Sequence, residues 1–99
     1  MREIEDTLKD RGERHGDFAK RAFVFHELLK ASQCSMSNYQ RLRPAHQVAV
    51  MGILNNLSSI LTGDPDYRDH WHDIQGFARL AEERCQDGDE RKQMELDNG

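Results

Sequence analysis

The densest run of side chains able to do chemistry is Asp64-Pro65-Asp66-Tyr67-Arg68-Asp69-His70-Trp71-His72-Asp73. Asp69 and Asp73 stand one helical turn apart, so a helix aims both carboxylates to one side, as a Mg²⁺ site requires. The other side of such a site falls to Glu27, Asp17 or Glu13. His70 and Asp73, three residues apart, would instead suit a softer ion such as Zn²⁺. A purely structural reading competes with both. In it Asp66 or Asp69 caps the following helix, its charge favoured by the helix dipole, while Trp71 packs and His72 faces water. A hard cation that holds a triphosphate draws carboxylates from several facing helices, and the stretch from Pro44 to Thr62 contains none.

The remaining polar groups are sparser. His15, within Arg14-His15-Gly16-Asp17, precedes a helix start where Arg11 and Arg14 could help hold an anion. The same four residues also read as a chain reversal, with Gly16 at positive φ and Asp17 as the cap. His46 stands alone and reads as a solvent-facing or internally satisfied imidazole. Asn55 and Asn56 are neutral amides, weak toward cations and apt as hydrogen-bonding groups. Cys34 and Cys85 have neither metal nor redox spacing and read as free thiols. No histidine lies near either of them in sequence, and no serine sits in a glycine elbow, so the spacing gives nucleophilic catalysis no support.

Composition narrows the classes further. The chain has 99 residues, 32% charged and 36% hydrophobic, with a mean hydropathy of −0.89. A membrane span does not fit that balance. Met1 is followed by acidic, helix-forming residues rather than a basic-then-apolar signal segment, and a cytoplasmic location is the expectation. The net charge of −4 and pI of about 5.7 lack the basic footprint that direct nucleic-acid binding demands. Five acids against Arg91 and Lys92 make residues 86–99 an acidic, flexible tail, leaving residues 1–85 at about −1. No acid occurs between Leu28 and Gly63, where Lys30, Arg41 and Arg43 do.

These residues must be positioned by helices. Ile4 and Leu8, four apart, predict a short helix over residues 2–10 that closes at Gly12. Asp17 caps a second, with Phe18, Ala22, Phe25, Leu28 and Leu29 on one side, running to about Ala31. Residues 32–40, rich in Ser and Asn, predict a loop. A third helix starts at Pro44, is apolar nearly all round from Val48 to Leu61, and stops at Gly63. After the GDPDY turn, Trp71, Ile74, Phe77, Ala78, Ala81 and Cys85 line one stripe of a fourth. The prediction is an all-α fold: a single domain over residues 1–85, built as a small bundle of about four helices around an apolar third. So short a domain has a thin core, which makes a homodimer the matching expectation.

Two segments resemble a known pattern. Residues 11–18 read RGERHGDF, and residues 63–80 read GDPDYRDHWHDIQGFARL. Together they resemble a family of small phage and prophage proteins with RGxxHGDF, a central helix, and GDPxxxDxWxDIxGYAxL. That family is distantly similar to the MazG-type all-α nucleotide pyrophosphohydrolases, which hydrolyse nucleoside triphosphates with Mg²⁺ held by helix carboxylates. The similarity implies Asp69 and Asp73 as metal ligands and His15 and Asp17 as site-forming residues. Relatives usually carry a lysine and an arginine where this chain has Asn56 and Ser59, often a glutamate where it has Val48, and a tyrosine where it has Phe77. Positions suited to phosphate and metal are thereby neutral here. The expectation is a non-catalytic, phage-type helical binding protein without a cofactor. It would meet a protein partner through a patch at Asp64, Asp66 and Asp69, or through the first helix, and act as a stoichiometric inhibitor of a host or defence complex such as a CRISPR surveillance complex. The alternative is a Mg²⁺-dependent MazG-like pyrophosphohydrolase with Glu27, Asp69 and Asp73 as ligands, in the same bacterial cytoplasm.

Overall fold

A computed structural model of the chain describes residues 17–86. These form α1 (Phe18–Ser32), a single 3-10 turn (Tyr39–Arg41), α2 (Pro44–Thr62) and α3 (Arg68–Glu83). No strand occurs among the described residues, so the all-α expectation holds for them. The helix expected over 2–10, the RGxxHG portion of the first motif and residues 87–99 of the expected tail lie outside the described residues.

Local chemistry sets the boundaries. Asp17 stays extended, and its Oδ1 accepts the Lys20 N–H at 3.1 Å, which satisfies a donor that the first turn of α1 cannot use. Lys30 sits in the last turn of α1, where the negative end of the helix dipole favours a cation. Pro44 takes the first position of α2, where its missing N–H costs nothing. The Gly63 N–H closes the other end on the Ser59 carbonyl at 2.8 Å.

The start of α3 departs from expectation. Its N-cap is Tyr67, with no side-chain capping bond. Asp64 acts earlier instead, accepting the Asp66 N–H at 2.9 Å in an Asx turn. Asp66 therefore does not cap, and Asp69 contributes only its charge to the first turn.

Helix α2 packs against both α1 and α3, whereas α1 and α3 barely touch. Helices α2 and α3 come close at Gly52, where a Cβ would lie 2.5 Å from the Phe77 ring. The absent side chain lets α3 lie down on α2. The segment expected to be a plain loop contributes a core residue. Tyr39 is buried, its carbonyl accepting from Gln47 Nε2 at 3.0 Å and its N–H donating to Ser37 Oγ at 3.0 Å.

Little apolar surface is fully covered. Tyr39, Ala49 and Ile60 are the buried apolar residues among those described, joined by Ser58, Ser59 and His70, and α1 adds none. Phe25, Leu28 and Leu29 are half-buried, while Phe18 and Ala22 of the same expected stripe are exposed. In α3 the stripe holds for Ile74, Phe77 and Ala81, which are half-buried, and fails for Trp71, Ala78 and Cys85, which are exposed. No helix among the described residues is long and apolar enough to cross a membrane.

Candidate functional site

Helix α3 and the turn before it carry most of the residues that the sequence singles out. The Asx turn at Asp64 folds Pro65 and Asp66 outward, and Trp71, one turn into α3, donates its indole Nε1–H to the Pro65 carbonyl at 2.7 Å. That bond fixes the ring against the turn, yet 47% of Trp71 stays exposed. Tyr67 donates its hydroxyl to Asp69 Oδ2 at 3.0 Å, and its ring meets His70 edge-on at 5.0 Å. His70 is buried, whereas Asp73, three residues on, is exposed.

Asp64, Asp66, Asp69 and Asp73 are all exposed and form an acidic rim along the turn and α3: Asp64 and Asp66 lie in the turn to which Trp71 is bonded, while Asp69 and Asp73, two residues either side of Trp71, fall on the opposite flank of the helix. Farther along the same outer face, His72, Gln75, Gly76, Arg79 and Glu82 line a shallow groove of about 500 Å³. The helix-interior Gly76 has nothing within 4 Å of where its Cβ would be. Arg79 and Glu83 pair at 2.9 Å along its edge.

The acids expected to share a metal are not brought together. Glu27 lies on α1, exposed and 3.8 Å from Lys30 Nζ, while Asp69 and Asp73 lie on α3, the helix that α1 barely touches. Among the described residues no three His, Cys, Asp or Glu side chains converge as a metal-holding group. The neutral positions of α2 are equally specific. Asn56 returns its Nδ2–H to the Gly52 carbonyl at 2.9 Å within the helix, Ser59 is buried, and Val48 is exposed. Asn55 is exposed.

A second cluster forms where the start of α2 meets the end of α3. Cys85 Sγ lies 3.7 Å from His46 Nε2, and Arg43 Nη2 lies 3.4 Å from His46 Nδ1 and donates to the Arg84 carbonyl at 2.7 Å. Sequence spacing missed this pair because the two residues are 39 apart. The signal that could have found it is the hairpin: α2 and α3 run antiparallel from a short turn, so residues equally far from Gly63–Tyr67 face each other. Gly52 with Phe77 and His46 with Cys85 both obey that relation.

No protein-family model, no curated protein and no solved structure matches this chain.

Proposed function

We propose that this protein is a non-catalytic helical binding module whose docking face is the outer side of α3. The carrying observation is Trp71, held at 2.7 Å to Pro65 yet about half exposed, beside a turn that carries the exposed Asp64 and Asp66. A preordered tryptophan loses little freedom on docking, and residues of this type anchor protein interfaces. The acidic rim selects a partner with a basic surface and steers its approach. Gly76 adds to the reading. A glycine in a helix interior costs about 1 kcal/mol relative to alanine, and no neighbour among the described residues explains it, so a closely approaching partner supplies a reason.

The resemblance to small phage and prophage proteins directs the choice of partner. A host or defence complex that normally grips nucleic acid, such as a CRISPR surveillance complex, offers the basic surface an acidic module would occupy as a stoichiometric inhibitor. Exposed Val48 and Leu80, beside half-buried Phe77 in an apolar groove, extend the proposal to self-association as a homodimer.

The test is affinity capture from a bacterial lysate with the intact protein, Trp71→Ala and Asp66→Lys. A discrete partner retained by the first and lost by both variants supports the reading, and equal retention by all three overturns it. Light-scattering mass reads the homodimer directly.

A further inference from the structure

The Cys85–His46–Arg43 cluster plays no part in the proposed docking face, and the structure gives it a chemistry of its own. Arg43 Nη2 lies 3.4 Å from His46 Nδ1. A guanidinium has no acceptor site, so the contact requires Nδ1 to accept. A neutral His46 then carries its proton on Nε2, the atom 3.7 Å from Cys85 Sγ. The thiol is exposed, as disulfide exchange requires, and its own hydrogen can rest on the Ala81 carbonyl at 3.5 Å.

Charge around the sulfur comes from both helices. Arg43, the N-cap of α2, and Arg84, the C-cap of α3, line the same shallow depression as Cys85; Arg84 Nη1 donates to the Leu80 carbonyl at 2.9 Å, and Glu83, the acid that shares the depression, pairs with Arg79 at 2.9 Å. The nucleophilic sulfur thus shares its depression with two arginines and has the His46 ring nitrogen beside it. Cys34 is the internal reference: it is exposed as well, yet its side chain makes no hydrogen bond among the described residues.

We propose that Cys85 is a reactive thiol that undergoes exchange with small anionic disulfides, held toward the reagent by Arg43 and Arg84 and supported by the Nε2–H of His46. In that step the Cys85 proton passes to solvent and the sulfur attacks one sulfur of the reagent. A mixed disulfide forms on Cys85, the reagent's own S–S bond breaks, and its other half leaves as a thiolate. No other oxidant takes part.

The test uses the full chain with 5,5′-dithiobis(2-nitrobenzoate), the modified cysteine being identified by peptide mass. Cys85 is expected to react about tenfold faster than Cys34 in the same molecule, the order of effect that local positive charge and hydrogen bonding confer on thiols. The neutral bis(2-hydroxyethyl) disulfide is expected to show a smaller preference. His46→Phe should slow Cys85 several-fold and leave Cys34 unchanged, with helical content checked by circular dichroism. A wild-type Cys85 that reacts no faster than Cys34 overturns the proposal, and this comparison needs no variant to fold. A folded His46→Phe chain with an unaltered Cys85 rate overturns the role of the histidine.

Discussion

Trp71 donates its indole N–H to the Pro65 carbonyl at 2.7 Å across the turn that joins α2 to α3, and the ring it anchors is still half uncovered. The bond ties the first turn of α3 to the segment that carries Asp64 and Asp66. Trp71→Phe keeps an aromatic ring and removes the donor. It is expected to lower stability by about 1 kcal/mol or less, since water can replace part of the lost bond. Urea unfolding followed by circular dichroism checks the value.

Two glycines should respond in opposite directions. Gly52→Ala sets a Cβ into the Phe77 ring, and the strain of separating α2 from α3 outweighs the better helix propensity, for a net loss of about 1–2 kcal/mol. Phe77→Leu in the same chain should recover part of it, as coupled neighbours do. Gly76→Ala meets open space and is expected to stabilise the protein by about 0.5–1 kcal/mol. Thermal melts of the four chains decide the signs.

Restoring residue types implied by the resemblance gives a second contrast. Ser59 is 3% exposed, so Ser59→Arg places a guanidinium where it has no partner and should cost about 3 kcal/mol or more. Val48 is 60% exposed, and Val48→Glu should change stability by less than about 0.5 kcal/mol. Equal losses in the two variants would contradict the burial assigned to these positions.

Hydrolysis of nucleotides tests the competing activity. With Glu27 on α1 and Asp69 and Asp73 on α3, no triad is assembled among the described residues, and a panel of deoxynucleoside triphosphates with Mg²⁺ or Mn²⁺ is expected to release no pyrophosphate above the Asp73→Ala chain. Release that vanishes in that variant would restore the hydrolase reading.

Much of the backbone was legible in residue types. Asp17, Pro44 and Gly63 place the ends of α1 and α2 within a residue of where they fall, because caps and proline act locally. Side-chain burial was less legible. Hydrophobicity assigns Trp71 to the core, but a hydrogen bond to a turn carbonyl holds it at the surface. Spacing reads Tyr39 as loop, although three bonds with Gln47 and Ser37 hold it inside. The Cys85–His46 pair exists only once α2 and α3 fold back on each other, and no local pattern encodes that.

The most direct measurement is the amount of one defined protein retained from a bacterial lysate, at low and at raised salt, by the wild-type chain and by Trp71→Ala. A stoichiometric partner is expected that the wild type holds, that salt weakens through screening of the acidic rim, and that the alanine variant, folded by circular dichroism, releases. A partner held equally by both chains, and insensitive to salt, would contradict it.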